Sequence, residues 1–100
     1  MFESLIALDV KNEAGYRTYR EQMIPILKTY GGDFRYDFVV SKTLKTQAAH
    51  AINRVFVIVF PDQDHSDRFF ADPAYKAVRQ RFFAPSVGGV THIAEYLRTP

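Results

Sequence analysis

The stretch Arg54-Val-Phe-Val-Ile-Val-Phe60 decides the fold, because six consecutive apolar residues follow one basic residue and Pro61 ends the run. Valine, isoleucine and phenylalanine suit a pleated strand better than a helix. Successive side chains of a strand point to opposite faces of the sheet. Both faces are apolar here, with valines on one and larger side chains on the other: Val55, Val57 and Val59 against Phe56, Ile58 and Phe60. We therefore expect a central strand that is covered on both sides.

Length and composition predict one globular domain that spans residues 1–100, with 47% hydrophobic and 24% charged residues. A net charge of +2 is too small to indicate a nucleic-acid partner, and the lack of cysteine excludes disulfides and thiolate zinc sites. No apolar segment approaches the ~18–20 residues that a membrane span needs. The first residues lack the basic region of a signal peptide. We expect a cytoplasmic protein without a membrane partner.

The first third of the chain predicts a strand followed by a helix. Polar and apolar residues alternate over Phe2–Val10, and Asn12 can cap the element that follows. Apolar side chains then recur every three or four residues over Tyr16–Tyr30, which is typical of an amphipathic helix. Pro25 should kink or split that helix, and Gly31-Gly32 should end it.

The remainder predicts two outer strands and a second helical region. Asp33–Ser41 alternates, and a polar connection over residues 42–53, which holds His50 as an exposed loop residue, leads to the central strand. This connection either extends the strands or covers another surface. Asp72-Pro73 should restart the second helical region, and Val90–Leu97 is the last strand. Strict alternation would place Phe34, Tyr36, Phe38 and Val40 on one face of the first outer strand. It would likewise place Val90, His92, Ala94 and Tyr96 on one face of the last strand.

This order of elements predicts a ferredoxin-like α+β fold (βαββαβ), a four-stranded antiparallel sheet with helices on one face. Such a sheet has an open face, yet the central strand is apolar on both sides. The strands also carry a charged fringe: Glu3, Asp9, Arg35, Asp37 and Glu95. An apolar centre with a charged rim is typical of a protein interface. We therefore predict a homodimer in which two sheets pack face to face about a two-fold axis.

RNA-recognition domains share this topology, and their third strand carries a basic-Gly-aromatic-Gly/Ala-Phe-Val-x-aromatic motif. Arg54, Phe56 and Val59 match that motif, but valine occupies both small-residue positions. Pro61 also stands where the final aromatic residue belongs. These mismatches and the low net charge argue against an RNA partner.

Several short motifs resemble those of the dimeric α+β barrel superfamily. They are Tyr30-Gly31-Gly32, Arg54 at the start of the apolar strand, Phe60-Pro61, Asp72-Pro73-Ala74-Tyr75 and Arg79. Within it the chain is most similar to the group known as domain of unknown function thirteen-thirty. The resemblance implies a homodimer whose two sheets form a barrel. The superfamily includes cofactor-independent monooxygenases, lactone isomerases, haem-dependent enzymes and stress proteins, so it assigns no single activity.

His92 and Tyr36 are the candidate catalytic residues. A histidine on an apolar strand face can act as a general acid or base near neutral pH. The alternative is a hydrogen-bonded histidine of the core or its rim. Tyr36 shares a predicted face with two phenylalanines, and its hydroxyl can orient a ligand or handle a proton.

The candidate binding residues are arginines and tyrosines. Arg54 or Arg35 can hold an anionic group, although alternation points Arg35 away from the Tyr36 face, and Arg79 is a further candidate. Arginines in such positions more often form a surface or interface ion pair. Tyr19 and Tyr30 belong to the aromatic stripe of the first helix, which is either core packing or one wall of a ligand site.

We predict no metal site and no cofactor. Three aspartates and a histidine follow the central strand, but Asp67 stands where an EF-hand loop needs glycine and Pro73 where it needs glutamate. Acidic residues at the start of a helix are favoured by its dipole.

The leading hypothesis is a small enzyme of the monooxygenase or isomerase type, which acts on an aromatic or apolar metabolite between helices and sheet. The alternative is a non-catalytic dimeric module that binds a ligand or acts under stress.

Overall fold

The structure is a computed structural model that describes residues 1–99. The elements follow in the order β1 (Phe2–Val10), α1 (Glu13–Thr29), β2 (Asp33–Val39), β3 (Arg54–Phe60), α2 (Gln63–Ala71), α3 (Pro73–Val78), a π-helical turn (Arg79–Phe83) and β4 (Val87–Leu97). The strands form one antiparallel sheet in the order β2-β3-β1-β4. The predicted ferredoxin-like α+β fold is confirmed. β4 begins at Val87, earlier than the predicted Val90.

Local sequence signals explain where α1 begins and ends. The side chain of Asn12 accepts a hydrogen bond from the backbone of Gly15 at 3.0 Å, as predicted for an N-cap. Gly31 has a φ of 71°, a backbone conformation that glycine adopts without strain, and it follows the end of the helix. α1 runs unbroken through Pro25, so of the two predicted effects of this proline, a kink or a split, the split does not occur. Glu21, whose carbonyl loses its helical partner to Pro25, is exposed, so water can hydrate that carbonyl.

The second helical region also begins at capping residues. Asp62 accepts a hydrogen bond from the backbone of His65 at 2.9 Å and caps α2. Asp72 accepts one from the backbone of Ala74 at 2.7 Å, and Pro73 occupies the start of α3. The predicted restart at Asp72-Pro73 is confirmed. Among residues 1–99, no helix combines the length and the apolar character that crossing a bilayer requires.

The hydrophobic core lies between the helices and one face of the sheet. β1 and β3 supply its floor, and the helices supply an aromatic roof: Ile6, Leu8, Phe56, Ile58 and Phe60 below, and Tyr16, Tyr19, Met23, Leu27, Phe69, Tyr75 and Phe83 above. The predicted alternation of the central strand is confirmed, because Phe56, Ile58 and Phe60 belong to this cluster and the valines do not.

β2 does not follow strict alternation, because it contains a β-bulge at Arg35. The pairing with β3 steps from Phe34 opposite Ile58 to Tyr36 opposite Val57. Paired residues of an antiparallel sheet point to the same face, so Phe34 faces the helices while Tyr36 and Phe38 face the open side. The prediction that these three aromatic residues share one face is therefore wrong.

A second bulge lies in β4 at Ile93, where the pairing with β1 steps from Ala94 opposite Leu5 to His92 opposite Ile6. His92 and Val90 consequently face the helices, whereas Ala94 and Tyr96 face the open side. The prediction that all four residues share one face is wrong for the same physical reason as in β2. A side chain changes face wherever an extra residue enters one strand of a pair.

The open face is partly covered by the chain itself. Residues 40–53 reach across it to β4, where the Nε2 atom of His50 lies 2.7 Å from the Oγ1 atom of Thr91. The ring of His50 also packs on Gly89, where a Cβ atom would lie 2.3 Å from the ring. His50 is half-buried, so the prediction of an exposed loop residue is wrong. The connection covers another surface, which is one of the two predicted alternatives.

Candidate functional site

A cavity of about 520 Å³ lies between the helices and the sheet. This volume is within the roughly 300–1,000 Å³ range of small-molecule pockets. Apolar side chains make up most of its wall: Phe2, Ile6, Leu8, Met23, Phe34, Phe56, Ile58, Phe70, Phe83 and Val90. Such a wall holds an apolar ligand body by removing it from water.

Polar groups interrupt this wall in three places. β4 contributes His92 and Glu95, and the tyrosines of α1 and α3 contribute hydroxyl groups. The helices and β1 add further polar residues: Ser4, Arg20, Gln63, Ser66, Asp67, Lys76 and Arg79. An apolar pocket with a few convergent polar groups is the usual composition of a binding or active site.

The bulge at Ile93 is what brings His92 to the cavity. Without the extra residue, strict alternation from Tyr96 back along β4 would turn His92 to the open face. The side chain of His92 is 59% exposed, so it stands at the edge of the cavity and contacts water. Its Nδ1 atom lies 3.6 Å from the Oε1 atom of Glu95, too far for a hydrogen bond but close enough for charge attraction.

Tyr19 and Tyr75 meet inside the cavity wall, with their hydroxyl oxygens 2.8 Å apart. Phe83 packs against Tyr19 with 4.9 Å between ring centroids, and Phe69 packs against Tyr75 with 4.3 Å. Burial raises the pKa of both tyrosines, and their mutual contact adds to the rise at Tyr19. Both hydroxyls therefore stay protonated at neutral pH and can donate hydrogen bonds.

Arg54 lies in a separate cleft of about 210 Å³, beside the start of α1. Its Nε and Nη2 atoms each donate to a carboxylate oxygen of Asp37 at 2.8 Å. Asp37 also pairs with Arg20 at 3.1 Å, and Arg20 stacks over the ring of Phe34 at 3.8 Å. Burial tends to raise the pKa of Asp37, but the two arginines outweigh it and hold that pKa below its usual value. Arg54 thus already has an anionic partner.

Residues 4–91 match the family described as Domain of unknown function (DUF1330). The chain belongs to this family. The predicted resemblance is confirmed, and it extends over most of the DUF1330 chain. No curated protein sequence matches the chain.

Solved structures share the fold of this DUF1330 chain. A Rhodopseudomonas palustris protein of unknown function aligns with a TM-score of 0.80 at 16% identity, over 98% of this chain and 83% of its own. An uncharacterized NIPSNAP domain protein from Burkholderia xenovorans aligns with a TM-score of 0.70 at 15% identity, over 99% of this chain and 95% of its own. A dimeric protein of unknown function with a ferredoxin-like fold from Bacteroides fragilis aligns with a TM-score of 0.60 at 11% identity, over 95% of this chain and 93% of its own. These identities establish the fold alone.

The fold brings together only some of the sequence candidates of the DUF1330 chain. His92 and Tyr19 line the large cavity. Tyr36 and Arg35 lie instead by the open face, where the Arg35 guanidinium stacks 4.7 Å from the Tyr36 ring. Tyr30 does not line the cavity, because its hydroxyl donates to Asp72 and ties the end of α1 to the start of α3.

The sequence interpretation did not propose Tyr75, Lys76, Ser66 or Glu95 as site residues. Tyr75 and Lys76 directly follow the Asp72-Pro73 start of α3, and Arg79, which was proposed as an anion anchor, comes one turn after Tyr75. This i, i+4 spacing was a usable signal that Tyr75 and Arg79 share a face. No local signal shows that this face meets Tyr19, which is 56 positions away in the chain.

The acidic segment after β3 has a structural explanation. Asp62, Asp64 and His65 lie within metal-binding reach of one another at the exposed start of α2. Asp62 caps the helix and lies 2.6 Å from the Nδ1 atom of His65, and Asp64 pairs with Arg68 at 3.0 Å. These contacts account for each group through helix capping and surface pairing.

Proposed function

We propose that this protein is a small enzyme that acts on an apolar or aromatic metabolite held in the cavity between helices and sheet, with His92 moving a proton. One observation carries the proposal: the imidazole of His92 stands at the edge of an apolar cavity of about 520 Å³. Apolar walls hold the substrate body, and a histidine beside them can take or return a proton near neutral pH.

Glu95 supports this role of His92. Its carboxylate faces the Nδ1 atom of His92, which favours a hydrogen on Nδ1 and leaves Nε2 free to accept a proton. Both side chains are more than half exposed, so water screens this influence of Glu95.

Removal of a proton from carbon begins both reaction types under consideration. An isomerase returns the proton at another carbon. A cofactor-independent monooxygenase lets molecular oxygen react with the carbanion that remains: the substrate supplies the electrons, one oxygen atom enters the substrate and the other leaves as water. In both cases the substrate supplies much of the reactivity. The chain then needs an apolar cavity and one general base, and His92 is the residue to which we assign that base.

Hydrogen–deuterium exchange at carbon tests the shared first step. Aryl ketones such as phenylacetone and small unsaturated lactones are incubated in D₂O, and loss of the proton next to the carbonyl is followed by NMR. We expect the wild-type protein to accelerate exchange for at least one compound. His92→Ala should reduce that acceleration by about 10²–10⁴-fold.

His65→Ala is the matched control, because His65 pairs with Asp62 at the start of α2 and does not line the cavity. It should keep the wild-type rate. Equal acceleration by wild type and His92→Ala would contradict the assignment of His92. Because His92 is largely exposed, its truncation should change the free energy of unfolding by no more than about 0.5 kcal/mol.

We further propose that the protein works as a homodimer through the open face of its sheet. Tyr36 and Phe38 stack on that face with ring centroids 5.9 Å apart, and they are 47% and 54% exposed. Exposed stacked aromatic residues are typical of interface centres. The Bacteroides fragilis neighbour is described as dimeric, which supports a dimer without indicating the face that forms it. A cytoplasmic location remains a prediction.

The alternative is a non-catalytic ligand-binding module, stress-associated or not. The hydroxyl-rich interior of the cavity favours it, because the hydroxyls of Ser4, Ser66, Tyr19 and Tyr75 can hydrogen-bond a ligand without reacting with it. Tight binding of a compound with no accelerated exchange at any carbon would favour this alternative over the enzyme.

A further inference from the structure

The tyrosine pair, Tyr19 and Tyr75, has a hydrogen-bond donor to spare. The two residues are 5% and 4% exposed, and their hydroxyls contact each other at 2.8 Å within the cavity wall. Two hydroxyl groups carry two hydrogens, and the contact between them uses only one. No described residue accepts a hydrogen bond from the other hydrogen. A ligand oxygen in the cavity would satisfy it.

Two serines show the same feature in the same cavity. Ser4 is 6% exposed and Ser66 is 4% exposed, and both line the cavity. Within residues 1–99, neither serine hydroxyl has a hydrogen-bond partner, and neither hydroxyl oxygen is completely buried. Each hydroxyl is thus open to the cavity, where water or a ligand oxygen can pair with it. The cavity therefore suits a ligand that carries oxygen acceptors as well as an apolar body.

Positive charge stands beside the tyrosine pair. Lys76 and Arg79 line the cavity, and in the described part of the chain neither forms an ion pair with a carboxylate. The charge of Arg79 acts on the hydroxyl of Tyr75, where it lowers a pKa that burial raises. Two carboxylates also line the cavity, Asp67 on the helical side and Glu95 on β4 beside His92. On the helical side, Lys76 and Arg79 therefore outnumber the single carboxylate.

We propose that the ligand is a small carboxylic acid with an apolar or aromatic body. One carboxylate oxygen accepts the hydrogen of the Tyr75 hydroxyl while Tyr19 donates to Tyr75, and Lys76 and Arg79 balance the negative charge. Hydrogen bonds from a hydroxyl to a carboxylate are among the stronger ones in proteins. This inference rests on the proposed function, because it names the ligand class of the same cavity.

The two methionines of the chain allow a site-specific binding experiment. Met23 lines the cavity and is 2% exposed, whereas Met1 is 43% exposed and lies outside it. With ¹³C-methyl methionine, each residue gives its own NMR signal. Phenylacetate is titrated as the probe, and phenylacetamide serves as its uncharged match. We expect phenylacetate to shift the Met23 signal, to leave Met1 unchanged, and to bind about tenfold more tightly than phenylacetamide.

Tyr75→Phe should weaken phenylacetate binding by about tenfold or more, since it removes a hydrogen bond to a charged group. Tyr30→Phe is the control, because it removes a tyrosine hydroxyl that bonds Asp72 outside the cavity, and binding should be unchanged. Arg79→Gln, at an exposed position, should weaken phenylacetate but not phenylacetamide. That variant keeps the test decisive if Tyr75→Phe does not fold.

The outcomes separate this inference from the proposed function. If phenylacetamide shifts Met23 as readily as phenylacetate, or if Tyr75→Phe and Arg79→Gln bind phenylacetate like wild type, the carboxylate inference is overturned and the cavity proposal stands. If neither compound moves the Met23 signal, both are overturned.

Discussion

The two central strands of the sheet and its two edge strands are built differently. β1 and β3 pair without interruption, from Phe2 opposite Phe60 to Leu8 opposite Arg54. β2 departs from regular pairing at Arg35, and β4 departs from it at Ile93 and again at Gly88. Bulges are common at sheet edges, where they re-aim side chains. The regular central strands supply the floor of the core and of the cavity, and the bulges of the edge strands decide which of their own side chains join it.

The bulges at Arg35 and Ile93 have complementary consequences. The bulge in β4 turns His92 toward the helices, where it borders the cavity. The bulge in β2 turns Tyr36 and Phe38 to the open face and brings Asp37 to the side where it binds Arg54. One edge thus supplies the candidate general base, and the other supplies the exposed aromatic pair of the proposed interface.

The largest effect is expected in the central strands. Phe60 is 1% exposed, and Phe60→Ala should lower the free energy of unfolding by about 3–5 kcal/mol, because it leaves a cavity in the core. Val39 at the end of β2 is 76% exposed, so Val39→Ala should cost no more than about 0.5 kcal/mol. Urea unfolding at one fixed protein concentration compares the two. A comparable loss in both variants would break the distinction between centre and edge.

The difference between regular central strands and bulged edge strands also determines which features could be predicted from the amino-acid sequence. The order of elements and the caps at Asn12 and Asp72 were predicted, because each rests on residues close together in the chain. The faces of the edge strands were predicted wrongly, because a bulge depends on how a strand pairs with its neighbour. His92 and Tyr19 were named from their own elements. Tyr75 was missed because its partner Tyr19 is distant in sequence.

A smaller effect is expected where a central strand is tied to both edges. The side chain of Glu3 in β1 points to the open face of the sheet, but neighbouring side chains leave it 0% exposed. Its carboxylate accepts hydrogen bonds from Arg35, Tyr96 and Arg98. Glu3→Gln removes the charge that holds these groups. The arginines are about one third exposed and can regain water, so the loss should be about 2 kcal/mol rather than the 3–5 of a fully buried pair.

The stability contributed by Glu3 should also depend on pH. Burial tends to raise the pKa of Glu3, but the hydrogen bonds from Arg98 and Tyr96 and the charge of Arg35 outweigh it and lower that pKa below 4.5. The carboxylate therefore stabilises the fold fully above pH 4.5 and loses this effect as the pH falls through the lowered pKa. Urea unfolding from pH 7 to pH 3 should show a steeper decline for wild type than for Glu3→Gln. Parallel profiles would mean that this cluster does not couple the edges to the centre.

The smallest effect on the stability of the single chain is expected on the open face. Substitutions there also test whether the bulge in the edge strand β2 decides which side chains reach the proposed dimer interface. Phe38 faces that side and Val39, its neighbour in β2, faces the other, and both are more than half exposed. Phe38→Glu would place a charge in the centre of the proposed interface, whereas Val39→Glu would place the same charge outside it.

Light scattering at tens of micromolar should therefore give Phe38→Glu the 11.5 kDa mass of one chain, and wild type and Val39→Glu twice that mass. Because both positions are exposed, the unfolding free energy of each separated chain should change by no more than about 0.5 kcal/mol. A wild-type protein that already has the mass of one chain would remove the open face as an interface. If Val39→Glu separates the chains as well as Phe38→Glu does, the charge acts through the edge itself, and the bulge at Arg35 loses the role assigned to it.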